Sequence, residues 1–172
     1  MSLISRLLGR APDDRAALRP LWNRVIAIGR EPQWYERGGI SDTLAGRFDA
    51  ISLVLVAVLL RMEQTPALVA PSVRLTELFV ADMDGQMRES GVGDLVVGKH
   101  MGRLMSVLGG RLGAYRDALA MPDNAALEQA VARNASLIEH ASPAAIAAEI
   151  RILAAQLAGL SDEALLAGEL VR

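Results

Sequence analysis

The chain has 172 residues and a formal net charge of −2, enough for one domain with a real core and short for two. Hydrophobic residues make up 52% and aromatic residues 3%, so neither a basic footprint nor stacking platforms for nucleic acid are present. Cysteine is absent, which excludes disulfides and thiolate chemistry, and His100 and His140 stand forty positions apart, so neither a metal nor a cofactor is expected.

Leu, Ala, Arg, Glu and Met lose little side-chain freedom in a helix, and their abundance predicts an all-α fold. The expectation is a single domain over 1–172, a bundle of about six to seven helices. The N-terminal "MSLISRLLGR" sets Leu3, Ile4, Leu7 and Leu8 against Arg6 and Arg10. Residues 1–10 therefore read either as a helix docked on the core or as a basic amphipathic turn resting on an anionic membrane surface. The segment lacks the long apolar core and small-residue cleavage site of a secretory signal. The longest apolar run, Ile51–Leu60, is far below the roughly 18–20 residues that span a bilayer.

Over 13–30, Leu18, Leu21, Trp22, Val25, Ile26 and Ile28 recur at mostly helical spacing, with Pro20 in the first turn or at a kink. Pro32 and Gly38-Gly39 mark a break. Ser41, Asp42 and Thr43 are cap candidates for a helix near 42–64, apolar nearly all round and so expected at the centre of the fold. A proline-bounded loop is predicted at 65–71, then a helix over 72–89 with Leu75, Leu78, Phe79, Met83 and Met87 on one stripe. A long helix follows from Asp94, its stripe being Val97, Met101, Leu104, Leu108, Leu112, Tyr115 and Leu119. Beyond Pro122 the chain is Ala-rich. One helix is expected over 124–139, with His140 as a charge at its C-terminus, and another from Ser142 as cap with Pro143 behind it. "LSDEAL" opens a last short helix.

The stretch "GVGDLVVGKH" (91–100) reads Gly-x-x-x-x-Gly-Lys from Gly93, with His100 where a phosphate loop places Ser or Thr. That loop needs a strand before it and a hydroxyl for magnesium. Here helix period precedes it, His100 supplies no hydroxyl, and the next apolar stripe starts inside it at Val97. It reads as a turn built on Gly91, Gly93 and Gly98, with Asp94 as cap and with Gly98 and Gly102 open to close approach of another helix. "DMDG" (82–85) lacks the glutamate that completes a calcium loop, and Asp82 and Asp84, two apart on a helix, do not face each other. Asp42, Arg47, Asp49, Asp82, Asp84, Arg88 and Asp94, with Trp34 and Tyr35 just before them, form either structural ion pairs or a polar-aromatic surface for a partner chain.

These blocks resemble a known family. "WYERGGISDTLAGRFDAISL" (34–53), "ADMDGQMRESGVGDLVVGKHMGRLM" (81–105) and "GRLGAYRDAL" (110–119) are similar to the ubiquinol–cytochrome c chaperones, assembly factors of the cytochrome bc1 complex. The matching positions are Trp34, Tyr35, Asp42, Gly46, Arg47, Phe48 and Asp49, then Asp82, Met83, Asp84, Arg88, Glu89, Gly91, Val92, Gly93, Asp94, Gly98 and Lys99. The resemblance spans 20–120 as a chaperone core and leaves 121–172 as an Ala-rich helical extension.

It implies a non-enzymatic, all-helical chaperone whose client is newly made cytochrome b or another bc1 subunit, with a small assembly partner. The short N-terminus points to a bacterial member, cytoplasmic or peripheral on the inner membrane. The implied client- or partner-binding residues are Trp34, Tyr35, Asp42, Arg47, Asp49, Asp82, Asp84, Arg88, Asp94 and Lys99. Two other readings stand beside this one. The first is a small ligand-binding protein or enzyme using Asp82, Asp84 and Asp94 with Lys99; the second is an oligomerisation module forming a homodimer.

Overall fold

The structure is a computed structural model that describes residues 15–89 and 94–170, with side chains described outside 87–101. After a 3-10 turn at Ala16–Leu18, helix α1 (Arg19–Gly29) carries Pro20 in its first turn, where a missing N–H is no loss. Its Leu21, Trp22, Val25 and Ile28 are buried on one stripe. A single-turn helix α2 (Gln33–Glu36) then folds back on α1. The Trp34 indole N–H donates to the Ile28 carbonyl at 2.7 Å and the Tyr35 hydroxyl to the Gly29 carbonyl at 2.8 Å. The Tyr35 hydroxyl thereby satisfies the Gly29 carbonyl at the end of α1, while the Trp34 indole shares the Ile28 carbonyl with the Glu31 N–H at 3.1 Å.

Helix α3 (Leu44–Glu63) is the hub, with 13 of its 20 residues buried. Thr43 caps it, its Oγ1 accepting the Gly46 N–H at 3.1 Å. Helices α1, α4 (Val69–Glu89), α5 (Asp94–Leu119) and α7 (Pro143–Ala158) all pack on it. Between α5 and α7 lies α6 (Ala125–Asn134), and α8 (Asp162–Leu166) closes against α1. Among the described residues, the expected six to seven helices correspond to six of ten residues or more plus two single turns. Among the described residues no helix is long and apolar enough to cross a membrane.

One carboxylate sits within this apolar hub. Asp49 is 7% exposed; Arg111 of α5, also 7% exposed, donates from Nη2 to Oδ1, and Ser136 donates its N–H and hydroxyl to Oδ2 at 2.8 and 2.7 Å. The Arg111 guanidinium lies 5.4 Å from the centroid of the Phe48 ring. Phe48 in turn neighbours Phe79 at 6.1 Å, which meets Trp22 edge-on at 6.0 Å. Nε and Nη1 of Arg111 are buried without a hydrogen-bond partner.

Four sequence expectations need correction. Pro71 belongs to the first turn of α4, which starts at Val69 after a 3-10 turn at Pro66–Leu68, because a proline there sacrifices no helical hydrogen bond. Helix α6 stops at Asn134 and not at 139. Ser136 is drawn out to Asp49, Leu137 forms an antiparallel bridge with Ile40, and the Ser41 and Ile138 N–H groups bond Ser136 and Gly39 carbonyls, each at 2.8 Å. His140 therefore sits in a turn at φ 65°, six residues past the end of α6 and shortly before the Ser142 cap of α7. Gly102 takes no close neighbour: a Cβ there would meet nothing within 4 Å. Ser142 caps α7 as the sequence suggests, accepting the Ala144 N–H, and Ser161 caps α8 by accepting the Ala164 N–H.

Two glycines of the chain predict opposite responses. A Cβ at Gly46 would lie 1.9 Å from the Ser41 carbonyl oxygen, whereas one at Gly109 would meet nothing. In urea unfolding we expect Gly46→Ala to lower stability by about 3 kcal/mol or more. Gly109→Ala should raise it by about 0.5–1 kcal/mol, since alanine is the better helix former. Asp49→Ala, which strands a buried guanidinium, should cost about 3–5 kcal/mol; a loss below about 1 kcal/mol would contradict the role given to the ion pair.

Candidate functional site

The start of α3, α2 and the end of α4 enclose a cleft of about 710 Å³. Its apolar lining is Pro32, Ile40, Leu44, Phe48, Ile51, Met83 and Ile138, and its polar lining is Arg30, Tyr35, Glu36, Asp42, Arg47 and Gln86. Local chemistry at the helix start places the rim. Thr43 turns the chain into α3, so Asp42 stays outside the helix while Arg47 stands one turn in, and Arg47 Nε donates to Asp42 Oδ1 at 2.7 Å. Both partners are mostly exposed, so the pair orients two side chains and adds little stability. The Arg47 hydrogen bond holds the Asp42 carboxyl below the usual aspartate range, and Asp42 in return raises the Arg47 guanidinium. Burial pushes the Tyr35 phenol up, with the Asp42 charge adding to the shift.

Two rim residues are apolar and open. Leu44 is 79% exposed and Ile138 53% exposed, and both line this cavity. Ile138 arrives there because the 135–138 segment leaves the helical path to reach Asp49 and Ile40.

Of the residues singled out from the sequence, Tyr35, Asp42 and Arg47 come together at the cleft. Trp34 is fully buried, its indole committed to the Ile28 carbonyl, and offers no surface. Asp49 faces Arg111 inside the bundle. Asp82 accepts the Trp22 indole N–H, whereas Asp84 lines a separate groove with Val73 and Met105, so the two carboxylates serve different neighbours. The side chains of Arg88, Asp94 and Lys99 lie outside the described residues, as do Gly91 and Gly93. The backbone of Gly98 belongs to α5, which begins at Asp94. Helix α4 precedes this glycine stretch where a phosphate loop requires a strand. Among the described residues no group of three potential metal ligands occurs.

Sequence reading missed Arg111, although a signal was present. It stands three residues after Leu108 and four before Tyr115, on the buried side of an otherwise apolar stripe, and a base on one core face calls for an acid on another. Leu44 and Ile138 carried no such signal, since a lone surface leucine or isoleucine is ordinary.

The profile of the family described as "Ubiquinol-cytochrome C chaperone" matches residues 36–172. The chain belongs to the ubiquinol–cytochrome c chaperone family. The match runs through the Ala-rich helices to the last residue, in keeping with the packing of α7 on α3. The fold agrees with the crystal structure of the Cbp3 homolog from Brucella abortus, at 31% sequence identity and a TM-score of 0.79, over 98% of this chain and 95% of that one. A search of curated proteins gave no match.

The two tyrosines report on how closed these surroundings are. Burial raises Tyr115 from 10.0 to about 12, the nearby Arg111 acting against the shift. A raised phenol pKa favours the neutral form in the fold, so its stabilisation is whole below pH 10 and disappears as pH rises towards 12. An ultraviolet titration should show tyrosine ionisation delayed beyond the free value, coinciding with alkaline unfolding. Two tyrosines ionising together near pH 10 in a folded chain would contradict these burial assignments.

Proposed function

We propose that this chaperone is non-enzymatic and assembles the cytochrome bc1 complex by holding an apolar helical segment of newly made cytochrome b, or of another bc1 subunit, in the cleft beside α3. The observation that carries the reading is the pair of open side chains, Leu44 and Ile138, facing one cavity whose floor is Phe48, Ile51 and Met83. Exposed leucine and isoleucine on a shared concavity are suited to the knobs of an amphipathic or membrane-destined helix. Tyr35, Asp42 and Arg47 stand along one edge, where polar groups fix register and exclude wrong partners more than they add affinity. Membership of the family supports this class of client, and the open apolar lining of the cleft supports the seat proposed for it.

In this reading the protein works at the cytoplasmic face of the membrane, where an emerging helix is first accessible. That Asp82 accepts the Trp22 indole N–H while Asp84 lines another groove supports this reading over one in which the two carboxylates work as a pair. Deleting the gene from a host that uses the protein should reduce bc1 complex and its b-type haem absorbance. Normal levels of both without the protein would end the proposal.

A finer test uses Leu44→Glu with Ile138→Glu. Both side chains are more than half exposed, so the fold and thermal transition should stay close to those of the parent. Client crosslinking should fall about tenfold, the scale expected when central apolar contacts are lost. Unchanged crosslinking by a folded double variant would place the client elsewhere.

A further inference from the structure

A second groove, of about 620 Å³, runs between the ends of α3 and α5 and the C-terminal half of α7, and shares no lining residue with the cleft. Its floor includes Ala154, Ala155 and Ala158, with Leu119 at one side. Residues this short let another helix approach to the near limit of helix–helix distances. Three guanidinium groups line it, Arg61, Arg116 and Arg151, against one carboxylate, Glu63, on a chain whose net charge is −2.

These arginines differ in what answers them. Arg61 is 12% exposed and spent on the Leu157 and Leu160 carbonyls and on Asp162. Arg116 is clasped by both oxygens of Glu63 at 2.8 Å. Arg151 is held equally firmly, but by neutral groups: Nε donates to Asn124 Oδ1 at 2.7 Å and Nη2 to the Asp123 carbonyl at 2.6 Å. Its position is thus fixed while its charge is left unanswered by any ion pair among the described residues. A guanidinium immobilised in advance loses little freedom when a carboxylate arrives.

We infer that this groove receives an amphipathic helix from a protein partner, with small apolar residues against the alanine floor and an Asp or Glu set against Arg151. The concavity suits a helix, since a flat lipid surface would leave the alanine floor uncovered. The site is separate from the client cleft, so one chaperone can hold a client and a second protein together.

The test uses a synthetic amphipathic peptide of roughly 20 residues, long enough to hold a helix, with an Ala/Leu face and Glu along one edge, beside a twin carrying Gln for Glu. The full chain should bind the Glu peptide in a salt-sensitive manner and the Gln twin about tenfold more weakly. Nuclear magnetic resonance shifts should fall on Ala154, Ala155 and Ala158. Arg151→Gln should lose about tenfold in affinity for the Glu peptide. Because that change also frees the Asp123–Asn124 turn, Ala155→Trp is the second variant: its side chain is exposed, and the indole fills the groove. Leu44→Glu should bind the peptide as the parent does. Equal affinity for the twins, no binding of the Glu peptide, full binding by both groove variants, or loss of binding in Leu44→Glu would each overturn the inference. So would Arg151-dependent binding to phosphatidylglycerol vesicles in place of the peptide, which would assign the groove to a lipid surface.

Discussion

Asp49 places a charge in the second turn of the buried hub helix α3, and much of the architecture follows from how that charge is satisfied. Removing a carboxylate from water costs several kcal/mol unless its oxygens find donors. Here Arg111 serves one oxygen and Ser136 serves the other twice. One side chain of α3 thereby fastens two distant pieces of sequence, α5 and the segment after α6. The second attachment has a further effect. With Ser136 fixed, Leu137 pairs with Ile40 and Ile138 turns onto the cleft, so the apolar rim depends on a buried carboxylate that does not itself line the cleft.

The motif Asp-x-x-x-Gly-Arg-Phe-Asp divides its labour along this line. Asp42 and Arg47 pair in solvent at the rim. Gly46 lies against the Ser41 carbonyl, where any side chain would collide, and so sets how steeply the chain enters α3. Phe48 looks both ways: it lines the cleft and carries the Arg111 guanidinium on its ring. Asp49 points inward. Five neighbouring positions thus connect the outer surface to the inner anchor. A change at the anchor is felt at the rim through Phe48 and through the 135–138 segment, with no separate path needed.

Helical periodicity made the bundle legible because the outer helices bury a stripe, as in Leu21, Trp22, Val25 and Ile28 of α1, while the hub helix α3 is buried on all sides from Asp49 to Leu59. Caps were legible for a local reason, each being settled by a hydroxyl and an N–H within three residues, as at Thr43 and Ser142. The end of α6 was not legible. Ala135–Glu139 has no strong local bias against a helix, and what stops it is an acceptor 87 positions earlier, Asp49. The same non-locality hid the cleft. Leu44 and Ile138 are unremarkable apart from each other, and only the bridge at Ile40 brings them to one cavity. Trp34 failed as a surface feature because an aromatic beside a glycine pair also fits a buried brace, and the Ile28 carbonyl decides for the brace.

Helix α5 shows why the ion pair has to be strong. Gly102, Gly109, Gly110 and Gly113 all face open space, and a glycine within a helix costs about 1 kcal/mol relative to alanine. Among the described residues nothing packs on these positions to recover that cost. The helix cannot owe its stability to its own propensity, so it owes it to the opposite face, where Leu108, Arg111, Tyr115 and Ala118 are buried against the bundle. Of these, Arg111 makes the directional contact, since an apolar side chain tolerates rotation or sliding that an Arg–carboxylate bond does not. The Asp49–Arg111 pair therefore fixes the register of a glycine-weakened helix on the hub. The apolar contacts around it supply most of the burial energy but leave that register less well determined.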